Sequence, residues 1–153
     1  MKKILFIGGY NSRGMKANTL ESRGYKVLRL LPDYDKGLSP WIKQAEKIRN
    51  ENKIDEIHAS STGAQVACKF PGKKVLYSPV INPFRQPRIS IFSKRFLKEA
   101  WIIETAYQCK VIIPEEDEVL DNDITLEFCK MNGIKPIVSK GDDHGLTKFF
   151  NTM

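Results

Sequence analysis

The stretch Ile57-His58-Ala59-Ser60-Ser61-Thr62-Gly63-Ala64-Gln65-Val66-Ala67 decides how this chain is read. A strand ends and a helix begins within a few residues. The serine between them stands in a small-x-Ser-x-Gly pattern, Ala59-x-Ser61-x-Gly63. A reactive serine at such a turn sits on a sharp, strained bend, so larger side chains two places before and after it collide. Alanine is the smallest departure from glycine that keeps a β-carbon. The turn also opens a helix, whose free N–H groups and positive dipole end favour a developing oxyanion. Taken alone, the pattern equally describes a helix N-cap, and Ser60 and Thr62 compete with Ser61 for either job.

Outward from this turn, short apolar runs alternate with helical patterns, as in a parallel sheet covered by helices. Runs at Lys3–Ile7, Lys26–Leu31, Ile54–Ser60, Lys74–Tyr77, Lys110–Ile113 and Lys135–Val138 are mostly β-branched or aliphatic, which suits strands covered on both faces. The expectation is one α/β domain over residues 1–153, a three-layer sandwich with about six mainly parallel strands. Ser39-Pro40 reads as N-cap and first helical residue, with Trp41, Ala45 and Ile48 on one face. Ser93 is expected to cap a helix carrying Phe92, Phe96, Ala100, Ile103 and Tyr107 at helical spacing. Asp121 or Asn122 opens a helix with Ile124, Phe128 and Met131, which Asn132-Gly133 closes. A shorter helix runs from near Gly63 to Pro71-Gly72, and Met15–Arg23 has the weakest helical period. The segment Ser78–Ile91 holds Pro79, Pro83 and Pro87, which exclude regular helix or central strand. It follows a strand and so leaves from the carboxyl edge of the sheet, where ligands bind in open α/β folds.

Four segments together resemble the α/β-hydrolase fold family, in particular its small lidless esterase- and thioesterase-like members. Ile7-Gly8-Gly9-Tyr10 resembles the oxyanion loop after an early strand, with Gly8 where the family usually has histidine. Ala59–Ala64 resembles the nucleophile elbow, with Ala59 in place of glycine. Ile112–Val119 resembles the strand and turn that carry the acid, and Gly141-Asp142-Asp143-His144-Gly145 the histidine loop. The resemblance runs over nearly the whole chain and implies the order Ser, then Asp or Glu, then His. Ser61, Asp117 and His144 satisfy that order as nucleophile, acid and base. The family acid sits a few residues past its strand, which favours Asp117; Glu116, Glu118 and Asp121 stay open. The other histidine, His58, lies within a strand pattern and precedes the serine, so it reads as a buried structural residue. Asp142 and Asp143 read as solvated loop residues beside the histidine. Backbone N–H groups of Tyr10 and Thr62 are the expected oxyanion donors, and Gly9, Asn11, Arg85 and Arg88 the expected substrate contacts.

Composition narrows the partners. The 153 residues carry a formal charge of +7, which favours anionic partners. The expected partner is a small acyl substrate, and the basic loop at Arg85 and Arg88 suits an anionic one. Two further readings compete. One is a hydrolase-fold binding protein without useful catalysis. The other is a basic, flavodoxin-like nucleic-acid-binding module, although no recognition helix or RNA-binding motif is visible. Cys68, Cys109 and Cys129 are odd in number, widely spaced and form no CxxC, which points to reduced thiols and a cytoplasmic location. No apolar run approaches the roughly 20 residues that a membrane span needs. The basic start at Lys2-Lys3 has too short an apolar run for a signal peptide. No metal-ligand spacing, G-x-G-x-x-G or P-loop is present, so no cofactor is called for. A monomer or a homodimer is expected.

Overall fold

The computed structural model describes residues 1–153. Strands β1 (Lys3–Ile7), β2 (Lys26–Leu30), β3 (Glu56–Ser60), β4 (Lys74–Tyr77), β5 (Cys109–Pro114) and β6 (Ile137–Ser139) form one sheet in the order β2-β1-β3-β4-β5-β6. Every neighbouring pair is parallel. All six apolar runs are strands, as their composition suggests, with small shifts at their ends. The last begins only at Ile137, because Pro136 has no N–H to give the ladder.

Successive side chains of a strand point to opposite faces, and β1 is buried on both. Leu5 and Ile7 join the larger core beside Leu38, Ala45, Val66 and Phe96. Ile4 and Phe6 join a smaller one with Ala17, Leu20 and Val27. Helix α1 (Met15–Ser22) covers the smaller face, and α6 (Thr147–Thr152) lies on that side with Phe150 packed on Tyr77. Helices α2 (Ser39–Glu51), α3 (Ala64–Ala67), α4 (Lys94–Glu99) and α5 (Asn122–Met131) cover the larger face. This is the three-layer sandwich.

The strand order matters for the site. The chain runs from β1 outward to β2, then returns past β1 to β3. Loops leaving β1 and β3 therefore turn to opposite faces, and a crevice opens at the carboxyl ends of these strands.

Local readings fail where a distant segment supplies the partner. Ser39 is the first residue of α2 and Leu38 holds the cap position. The N–H groups of Leu38 and Ser39 donate to the Glu99 carboxylate at 3.0 and 3.2 Å. Ser93 does cap α4, its hydroxyl accepting the Phe96 N–H at 3.1 Å, but that helix stops at Glu99. Beyond it, the N–H groups of Trp101 and Ile103 are claimed by Gln65 and Ile81, so the backbone runs extended across α3. Phe92 and Ile103 are still buried, whereas Tyr107 is 81% exposed. Asp121 caps α5 and Gly133 closes it at φ 65°, but Met131 faces solvent. No helix is long and apolar enough to cross a membrane.

Candidate active site

Ser61 directly follows β3 and has φ 53°, in the left-handed region. A residue with a β-carbon pays on the order of 1–2 kcal/mol there, so its surroundings must hold it. The Ser61 carbonyl accepts the Val80 N–H at 3.0 Å. Buried Gln65 donates to the Val80 and Trp101 carbonyls and accepts the Trp101 N–H, all at 3.0 Å. Gly63 has an ordinary dihedral and is required for another reason. A β-carbon there would stand 2.4 Å from the Ile7 carbonyl oxygen. Gly9 faces the turn from the β1 side, where a β-carbon would meet Ser61 Cβ at 3.0 Å. Ala59, by contrast, fits its methyl into the larger core.

His144 reaches this turn from the last loop. Its Nε2 lies 3.0 Å from Ser61 Oγ, and its Nδ1 lies 2.8 Å from Asp117 Oδ2. With Nδ1–H donating to Asp117, Nε2 is the free acceptor for the serine proton. The Asp117 side chain is 1% exposed and that of His144 is 18% exposed. Asp117 Oδ1 accepts the N–H groups of Val119 and Leu120 at 2.8 and 2.7 Å, which fixes the carboxylate plane. The His144 backbone is held at both ends. Its N–H donates to the Glu118 carboxylate at 3.0 Å, and its carbonyl accepts the Ser78 hydroxyl at 2.8 Å.

The alternatives go elsewhere. Glu118 serves the His144 backbone and Asp121 caps α5. Asp142 accepts the N–H groups of Asp143, Lys148 and Phe149; burial raises its pKa, but these bonds outweigh that and hold it below the usual range. Asp143 accepts from Thr147, so the imidazole takes its carboxylate from Asp117 and from neither loop aspartate. His58 is buried, with Nδ1 2.7 Å from the Tyr77 hydroxyl and Nε2 3.4 Å from Glu56. Its burial lowers its pKa, with Glu56 opposing.

A cavity of about 430 Å³ opens over Ser61, Thr62 and His144, and Gly9, Tyr10, Asn11, Phe92, Val119 and Leu120 also line it. That is the size of a small-ligand site. The Tyr10 N–H takes no acceptor within the protein. Its side chain anchors the loop: the hydroxyl accepts the Ser93 N–H at 3.2 Å, and the ring packs 5.0 Å from Tyr34 and 6.0 Å from Phe96. Tyr34 in turn donates to the Gly8 carbonyl at 2.5 Å.

No protein-family model matches the sequence, and no curated protein matches it. Solved structures do. The ydeN gene product from B. subtilis superposes with a TM-score of 0.72 at 13% identity, over 99% of this chain and 96% of that one. The esterase domain of a Rhodothermus marinus protein gives 0.72 at 14%, over 95% and 79%. An alpha-beta serine hydrolase homologue from Coxiella burnetii gives 0.66 at 14%, over 99% and 82%. The chain has the α/β-hydrolase fold.

Within this fold two expected contacts are misplaced. Arg85 pairs with Glu127 at 3.7 Å, and Arg88 donates to the Glu118 carbonyl at 3.2 Å; neither lines the cavity over Ser61. That loop runs through short turns at Pro83–Arg85 and Ile89–Ile91, and of its residues only Ile91 lines the cavity. The cations that do line the cavity are Arg13 and Lys16. The sequence did not mark Gln65 or Ser78, and Glu118, open there as the acid, instead holds the His144 backbone. Gln65 left one signal, a lone amide within the apolar run Ala64–Ala67. The thiols are set apart from the chemistry: burial pushes Cys68 and Cys129 up to about 11 and Cys109 up to about 12.

Proposed function

We propose that this chain is a serine hydrolase that cleaves an ester or thioester of a small acyl substrate through an acyl-enzyme. The observation that carries this reading is the hydrogen-bonded line from Ser61 through His144 to Asp117, opening on a cavity. Ser61 Oγ attacks the carbonyl carbon as His144 Nε2 takes its proton. Asp117 keeps the imidazole in the required tautomer and stabilises the imidazolium. The N–H groups of Tyr10 and Thr62 hold the oxyanion, and losing one such donor costs on the order of 10²–10³ in turnover. His144 then gives its proton to the leaving alcohol or thiol. Water repeats the sequence on the acyl-enzyme, with His144 again as base, and releases the acid and free Ser61.

The triad lies within one chain, which suits a monomer or a homodimer. Unpaired, protonated thiols suit a cytoplasmic enzyme. The test is hydrolysis of 4-nitrophenyl acetate. Wild type turns it over with a burst, and Ser61→Ala loses about three or more orders of magnitude in kcat. Equal rates for the two proteins would overturn the proposal.

A further inference from the structure

We propose that the substrate carries a negatively charged group, which Arg13 and Lys16 receive at the wall of the Ser61 cavity. This inference rests on the reading of Ser61 as nucleophile and adds the class of ester to it. Both cations line that cavity, and no aspartate or glutamate does. Both lie on the segment that leaves β1, the same segment that carries the Tyr10 N–H.

Neither cation is neutralised by the protein. The ion pairs of the chain lie elsewhere: Arg29 with Glu21, Arg85 with Glu127, Lys2 with Glu56, Lys47 with Glu51. Lys16 Nζ instead rests 5.6 Å from the centroid of the Phe150 ring, a contact that orients the ammonium without removing its charge. Burial lowers the Lys16 pKa, with the Asp143 and Asp142 carboxylates opposing from a distance. Asp142 is already committed to the backbone of α6, and Asp143 to Thr147. A half-buried cation without a bonded partner is an unfavourable arrangement for the free protein, and a bound carboxylate or phosphate relieves it. Arg13 is exposed at the mouth, where its planar fork is free to grip an anion in a bidentate way. The fitting substrates are esters or thioesters with a carboxylate or phosphate on the acyl chain or on the leaving group.

The experiment compares kcat/KM within two matched pairs. Mono-4-nitrophenyl glutarate against 4-nitrophenyl pentanoate places the charge on the acyl side. 4-Acetoxybenzoate against phenyl acetate places it on the leaving group. In at least one pair the anionic ester is expected to be preferred about tenfold or more, and the preference shrinks as salt rises. The Arg13→Gln, Lys16→Met double variant brings that ratio close to one, and Lys16→Arg keeps it. A folding defect lowers all rates together and leaves the ratios alone. Ratios of one in both pairs, or a ratio that the double variant leaves intact, overturn this inference while the hydrolase reading stands. Failure of wild type to cleave any of the four esters overturns both.

Discussion

Gly63→Ala isolates the contact between the elbow and the first strand. Gly63 has φ −56°, so alanine meets no dihedral penalty there. The cost is steric. The new β-carbon stands 2.4 Å from the Ile7 carbonyl oxygen and 3.1 Å from that of Gly8. Both obstacles are backbone, so no rotamer change relieves them, and β1 must move against β3. Overpacking of this kind costs about 1–3 kcal/mol, and a backbone obstacle argues for the upper end. At this chain length each kcal/mol shifts the midpoint by about 2–4 °C, so Tm falls by about 6–12 °C. The same shift moves the Tyr10 N–H relative to Ser61, and a misplacement near 1 Å costs about a hundredfold in turnover. Gly72→Ala is the control. Gly72 has φ 99° with open space around it, so alanine loses only the dihedral preference, and activity is retained. Urea titration followed by circular dichroism gives the stability, and 4-nitrophenyl acetate gives the turnover. A Gly63→Ala protein within about 0.5 kcal/mol of wild type and fully active would refute the reasoning.

Three other outcomes are expected. Asp117→Asn leaves His144 without its anionic partner and lowers kcat by about three to four orders of magnitude at neutral pH, measured with the same ester. Glu118→Ala frees the His144 N–H and lowers kcat by roughly tenfold with little change in Tm, whereas Glu118→Gln keeps an acceptor and recovers most of the rate; a large Tm loss would make Glu118 merely structural. His58 gives a pH signature away from the cavity. Burial holds its folded pKa below the reference 6.5, so the unfolded chain takes up more protons as pH falls. This contribution leaves stability intact above pH 6.5 and withdraws it as pH drops through the folded pKa. In urea titrations His58→Gln should flatten that loss, and an unchanged slope would show that another group sets it.

What was legible in the sequence was local. Each strand announced itself as a short apolar run, and Ser93, Asp121 and Gly133 mark helix ends through their own backbone contacts. The grouping of Ser61, Asp117 and His144 was implied by the family resemblance, and the fold accommodates it because each residue follows a strand and parallel strands bring their carboxyl ends to one edge. The rest depended on long-range partners. The start of α2 is capped by Glu99, and the chain past α4 is drawn straight by Gln65. Arg85 and Arg88 stood out as a basic loop but lie outside the cavity, while Arg13 and Lys16 were inconspicuous. The return of the chain across β1 brings residues 9–16 to the wall beside Ser61, and only the strand order reveals that.

The most direct measurement treats the folded protein with a fluorophosphonate and maps the adduct by peptide mass spectrometry. One phosphonyl group on Ser61 is expected, lost in Ser61→Ala and formed far more slowly in His144→Ala. No adduct on the folded protein, or an adduct on Ser60 or Thr62 instead, would contradict the assignment of Ser61 as the nucleophile.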